Sequence, residues 1–205
     1  MQNTAPGLRD RQRQQTLREL HVAAVALARE GGLAAATVEA ITDRAGVSRR
    51  TFFNYYPTKE DALLGTAAPV VPEAALERFL TQSGDDTFGE TVQLILAIVL
   101  STRQVELSTA EHHALFAEFP SLKERLAQHL AAAEGLIGTA LNERRAAETG
   151  PLVVQGDDEA RALLMLATAV LRFAYEREPD NSSGPGPQAI KSAISVFRTV
   201  LQEIS

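Results

Sequence analysis

Between Thr37 and Lys59 the sequence reads TVEAITDRAGVSRRTFFNYYPTK, and its stops and starts lie too close together for anything but short helices. Val38, Ile41 and Ala45 fall on one helical face. Gly46 ends that helix, because a helix C-terminus often needs the left-handed conformation that glycine tolerates. Val47 pins the turn and Ser48 is an N-cap for a second helix. Phe52 and Tyr56, four apart, give the second helix its inward face. Pro57 stops it, since the residue before a proline is driven out of the α region. Thr58 then caps a further helix with Lys59 in its first turn.

The other face of the second helix carries Arg49, Arg50, Thr51, Asn54 and Tyr55. Cations, hydrogen-bonding groups and one aromatic stand there, and little that gains by burial. A short helix with Arg-Arg-Thr at its start, propped on another short helix, is the pattern of a helix-turn-helix. In that motif the second helix lies in the DNA major groove and its first residues meet the base edges. Arginine can hydrogen-bond the O6/N7 edge of guanine in two places, so one of Arg49 and Arg50 is expected to reach a base; the residues do not say which. Thr51 offers a hydroxyl to phosphate and a methyl to thymine. Asn54 suits adenine or phosphate.

The run GVSRRTFFNYYPTKEDALL resembles the recognition-helix signature of the tetracycline-repressor (TetR) family of bacterial regulators. The resemblance extends from about Gln12 to Leu64; beyond it only the length and the helix pattern are similar. It implies an N-terminal three-helix DNA-binding domain followed by a larger helical domain. It implies phosphate contacts from Thr37 at its helix N-terminus, and from Tyr55 and Lys59. Two positions depart from the family pattern. Arg50 stands where many members have Gly, and Phe53 where Tyr is usual. Phe53 keeps an apolar contact to thymine or sugar but loses a hydroxyl for phosphate, and it also suits a core. The expected DNA-contacting set is Thr37, Ser48, Arg49, Arg50, Thr51, Phe53, Asn54, Tyr55 and Lys59.

Charge is divided in the way such a reading requires. The chain of 205 residues carries a net −6, yet residues 1–60 hold 9 Lys+Arg against 6 Asp+Glu, or +3, leaving −9 for the remainder. A basic head on an acidic body presents one end to phosphates. The absence of Cys excludes disulfides and Cys-bound zinc. No apolar run reaches the roughly 18 residues that span a bilayer, and the polar start MQNTAPGLRDRQRQQ lacks the apolar stretch of a signal peptide. A cytoplasmic protein is expected.

Taken in order, residues 1–10 are expected to form a disordered basic arm, with Arg9, Arg11 and Arg13 available for phosphate. The DNA-binding domain is expected over 11–57, and an effector-binding and dimerisation domain over 58–205. A first helix runs from near Arg11 to Glu30, with Leu17, Leu20, Ala24, Leu27 and Ala28 as its stripe. The helix after Thr58 should reach about Ala67. VQLILAIVL, Val92 to Leu100, is apolar nearly all round and should be buried on every side. Ser108 with Glu111 makes a capping box. A long helix follows from Ser121 to about Ala147. Gly150-Pro151 and DNSSGPGP, from Asp180, read as breaks. In the last helix Ile190, Ile194, Phe197, Leu201 and Ile204 step 4-3-4-3, the spacing of a helix–helix seam. With the helix opening at Asp157, these carry more apolar surface than one chain needs. A homodimer is expected through Leu164, Leu171, Ile190, Ile194, Phe197 and Leu201. One recognition helix contacts few bases, and a two-fold dimer would read two half-sites of a palindrome.

By resemblance, the larger domain binds a small-molecule effector of unspecified identity that shifts the recognition helices. Candidate pocket residues are Arg103, His112, His113, Phe116, Phe119 and Arg172, with Glu106, Glu118 and His129 as further polar groups. His112 and His113 are adjacent and so do not make the i,i+4 pair of a helical metal site; neither metal nor cofactor is expected. No phosphate loop, nucleophile elbow or metal ligand set suggests an enzyme. The rival to a DNA-binding repressor is a helical ligand- or partner-binding protein without DNA function, which leaves the Arg49–Tyr55 face unexplained.

Overall fold

The computed structural model describes residues 7–81, 86–146, 157–178 and 185–203. Among these the protein is all-α. Its ten helices are α1 (Leu8–Gly31), α2 (Val38–Ala45), α3 (Arg49–Tyr55), α4 (Lys59–Leu64), α5 (Glu73–Thr81), α6 (Thr87–Thr102), α7 (Thr109–Glu118), α8 (Leu122–Ala146), α9 (Asp157–Arg177) and α10 (Pro187–Glu203). An isolated bridge joins Thr66 and Arg103. The chain divides into two compact units. The first runs to Ala68 and adds Arg103–Leu107 and Glu111–Arg125; the second holds Pro69–Thr102, Ser108–Ala110 and the chain from Leu126 onward.

In the first unit α1 packs on α2 and α4, and α2 on α3. Leu17, Leu20, Ala24, Ile41, Phe52, Tyr56 and Leu63 form its core, and each is fully buried. Three short helices around so few apolar residues make a marginal fold. The deficit is met from far along the chain: Val105, Leu107, Leu115, Phe119 and Leu122 join the same cluster. The Gly65 carbonyl accepts from the amides of Gln104 (2.9 Å) and Val105 (3.1 Å), which draws that distant segment onto the end of α4. The small unit therefore includes α4, the 103–107 connector and most of α7, not residues 11–57 alone. Residues 8–10, expected in the arm, are the first turn of α1. The end of α4 also differs: Gly65 adopts φ 64°, the left-handed region, and stops the helix at Leu64 rather than near Ala67.

In the second unit α9 packs on α6 and α10, and α5 on α6. Val92, Ile98, Ile137, Val170 and Ile190 are among its core residues. Expectation fails in two places here. Helix α6 is not buried all round: Leu96, Ala97 and Val99 are only partly covered and Leu100 is exposed. The apolar run is longer than the α5, α9 and α10 neighbours can enclose, so one face stays open. The second correction concerns α9 and α10. Leu171, Ile190 and Ile194 are buried within the single chain at 4%, 0% and 8% exposure, so their seam closes the chain's own core and they are not available to a partner. Leu164, Phe197 and Leu201 are half-covered. Ile204 and the breaks at Gly150-Pro151 and 180–184 lie outside the described residues. Among the described residues no helix is long and apolar enough to cross a membrane.

Candidate nucleic-acid interface

Local signals fix the backbone of the site. The Thr37 side chain accepts from the Ala40 amide at 3.1 Å and starts α2. Gly46, at φ 67° and ψ 30°, ends it, and its amide reaches the Asp43 and Thr42 carbonyls. Two residues on, the Ser48 hydroxyl accepts from the Thr51 amide at 3.1 Å and starts α3. Each cap satisfies a backbone donor that would otherwise have no partner, for roughly 1 kcal/mol apiece. The turn between α2 and α3 is thus set by three side-chain choices within twelve positions.

Beneath α3, Phe52 and Tyr56 are completely buried, and the Tyr56 hydroxyl donates to the Leu17 carbonyl of α1 at 3.2 Å. Burial, with the nearby Asp61 carboxylate, pushes the Tyr56 phenol well above its usual range, so it remains a neutral donor. Above, the helix offers Arg49, Arg50, Phe53 and Asn54 to solvent, with Thr51 and Tyr55 half-covered. Phe53 is 52% exposed and touches Phe52 edge-on, with ring centroids 5.3 Å apart. It belongs to the outward face and not to the core.

The two arginines are not equivalent. Arg49 pairs with Glu39 of α2 at 2.7 Å, both side chains being more than half exposed. Arg50 has no ion pair among the described residues. An exposed pair of this kind is worth at most about 1 kcal/mol, so Glu39 orients Arg49 without consuming it. Thr51 and Ser48 share a hydroxyl–hydroxyl contact of 2.9 Å, which holds the Thr51 side chain against the cap. The Arg13 guanidinium lies 6.0 Å from the centre of the Tyr55 ring and also donates to Gln104 at 3.1 Å. Arg13 belongs to α1, so this edge of the face comes from a helix and not from a loose arm. Lys59 donates to the Leu33 carbonyl at 2.7 Å. That bond spans 26 residues and ties the start of α4 to the α1–α2 connection.

Beside the interface lies a group that the sequence reading missed. Asp61 is fully buried and takes both arms of Arg125, Nε to Oδ1 at 2.8 Å and Nη2 to Oδ2 at 2.7 Å. Thr58 caps the Asp61 amide and donates its hydroxyl to the same carboxylate at 2.8 Å. The Thr58-x-x-Asp61 spacing was legible as a capping signal; the partner 64 residues away was not. His21, also missed, is buried with Nδ1 2.9 Å from the Ala62 carbonyl, so Nδ1 carries the proton and donates. Burial lowers its pKa below the ordinary 6.5; the Ala62 carbonyl and Glu111 oppose that, and Arg29 adds to it.

The proposed pocket residues are divided between the two units. Phe119 is buried in the core of the first unit, and Phe116 packs against that core with the His112 ring stacked on it. Arg103 takes part in the bridge to Thr66. His113 is exposed, and Glu118 pairs with Arg29 at 3.0 Å. Arg172 belongs to the second unit, on its surface, 80% exposed and 3.7 Å from Glu176. Core packing in the small unit claimed the aromatic residues, and no spacing signal had opposed that.

Residues 20–64 match the family model described as bacterial regulatory proteins, tetR family. No curated protein matches the chain. The matched span runs from inside α1 through the whole of α4, and holds both caps, the left-handed turn and the recognition helix. Through residues 20–64 the chain thus carries an N-terminal domain of the TetR type, a domain of DNA-binding transcriptional regulators.

Proposed function

We propose that the protein is a homodimeric repressor that binds a palindromic operator and is released from it by a small-molecule effector. The observation that carries the DNA half of this reading is the division of α3. Phe52 and Tyr56 anchor it from below, while Arg50, Phe53 and Asn54 stand exposed on its other face. On this reading the first unit binds DNA, and the second binds effector and partner.

Arg50 is the base reader. It stands in the first turn of α3 with no ion pair among the described residues, whereas Arg49 is oriented by Glu39 and serves the phosphates. Thr37, Ser48, Thr51, Tyr55 and Lys59 surround it as backbone contacts, and Phe53 and Asn54 extend the base-facing edge. The dimer forms through the outward sides of α9 and α10, where Met165, Val196 and Val200 are 66%, 39% and 50% exposed. These replace the buried residues of the intrachain seam as the contact surface.

Selection from a pool of random duplex DNA tests the reading. The wild type should retain a palindrome. Arg50→Ala should relax the preference at one symmetric position by about 1–3 kcal/mol. Arg49→Ala should weaken binding uniformly across sequences and reduce the salt slope by about 1. Loss of base preference in Arg49→Ala alone would reverse the assignment. No enrichment by the wild type at low salt would overturn the DNA reading.

A further inference from the structure

The second unit contains an open cavity of about 510 Å³ between α5, α6 and α10. That size lies within the range of small-molecule sites. We propose that it binds an amphiphile with an apolar body and an anionic head, with Arg78 and Lys191 receiving the head. This rests on the reading that the second unit binds an effector, and it names that effector's chemical class.

The apolar half of the argument comes from α6. Leu96, Ala97 and Leu100 line the cavity with Phe79 of α5. They are the uncovered face of an otherwise apolar helix, and Leu100 is 40% exposed. Apolar surface left open to water in this way gains by being covered.

Pairing decides the charge of the head. Four charged residues line the cavity: Arg78, Lys191, Asp86 and Glu90. Both carboxylates already hold arginines. Asp86 is bonded by Arg198, and Glu90 lies 2.6 Å from Arg144. The cations are not matched in this way. Arg78 spends only its Nε, donated to the Ala74 carbonyl at 3.1 Å, and Lys191 has no ion pair among the described residues. Among the described residues the cavity thus presents two positive charges without an ion pair beside an apolar wall, in a part of the chain whose net charge is negative. A cationic ligand would meet repulsion. A neutral one would leave both cations unused. A carboxylate or sulfonate on an apolar body satisfies both halves.

The test is calorimetric titration of the full-length protein, without DNA, with dodecanoate, dodecanol and dodecyltrimethylammonium below their micelle concentrations. Dodecanoate should bind about tenfold or more tightly than dodecanol, the scale of a hydrogen bond to a charged group. Dodecyltrimethylammonium should give no binding. The double variant Arg78→Gln/Lys191→Gln changes only exposed side chains, and it should bind dodecanoate about as weakly as the wild type binds dodecanol. Ala97→Phe, which fills the cavity, should bind none of the three. Equal affinity for the anionic and cationic probes, or unchanged dodecanoate affinity in either variant, would overturn the proposal. Failure of the operator selection with dodecanoate still bound would remove the regulator reading and leave this one. A selected palindrome with no dodecanoate binding would do the opposite.

Discussion

Two arginines of α8 each neutralise a carboxylate, one in each unit, and the pairs are built differently. In the first unit Arg125 meets Asp61 with two parallel bonds, and Asp61 is already held by the Thr58 cap. Asp61 is wholly buried while Arg125 is 23% exposed. In the second unit the exposures are reversed. Arg144 is 1% exposed, with its guanidinium 4.7 Å from the centre of the Phe79 ring, while Glu90 is 11% exposed and borders the open cavity. The first pair hides its acid and the second hides its base. Burial of an unpaired charge is what makes a broken ion pair costly, so the two should respond differently to the same change.

Replacing each arginine by methionine gives the largest expected effect and the direct test of this contrast. Arg125→Met strands a fully buried carboxylate and should cost about 3–5 kcal/mol in urea denaturation. Arg144→Met keeps apolar volume against Phe79 and leaves a carboxylate that the cavity can hydrate; about 1–2 kcal/mol is expected, within the usual range for single substitutions. Equal costs would remove the distinction.

Glycines sharpen the same comparison at a smaller scale. Gly46 in the first unit holds a left-handed turn, and a Cβ there meets no other atom. Gly46→Ala should therefore cost about 1–2 kcal/mol through backbone strain alone. Gly135, within α8 in the second unit, also has open space at its Cβ but has no positive φ. Gly135→Ala should stabilise by about 0.5–1 kcal/mol. Opposite shifts in melting temperature are the expected readout, and a neutral Gly46→Ala would show that the turn needs no glycine.

The smallest effect concerns pH. His21 is buried neutral in the first unit, so its folded pKa lies below the ordinary 6.5. The unfolded chain then binds the proton more readily. The contribution of His21 is complete above pH 6.5 and is lost as pH falls from there through the folded pKa. Wild-type stability should decline across that window. His21→Gln, whose amide can still donate to the Ala62 carbonyl, should show a flatter pH dependence. An unchanged slope would assign acid sensitivity to other groups.

Legibility in the sequence followed the range of the interactions. Thr37, Gly46 and Ser48 act within four residues of themselves, and Phe52 and Tyr56 share one face by their spacing of four, so all five are readable from the sequence. The outward face of α3 was readable for the same reason. Nothing near Asp61 or Glu90 announced Arg125 or Arg144, because those pairs join residues brought together only by tertiary packing. The α10 stripe was seen, but a periodic apolar face has the same spacing whether it meets its own chain or another. Phe116 and Phe119 are pocket candidates by type, yet aromatic residues suit pockets and cores alike. Only the identity of their neighbours, Leu115, Val105 and Leu107, separates the two. VQLILAIVL lies in α6 with one face open, and hydropathy alone does not say which face runs short of neighbours.

The division of α3 between an anchored and an exposed face has an evolutionary consequence. The two residues that hold the helix, Phe52 and Tyr56, are different letters from those proposed to meet DNA, Arg50, Phe53 and Asn54. Substitutions at the exposed positions leave the core, both caps and the Tyr56–Leu17 bond intact. The target of such a regulator can therefore drift by single changes that cost the fold almost nothing, and a duplicated copy can acquire a new operator before losing its ability to fold.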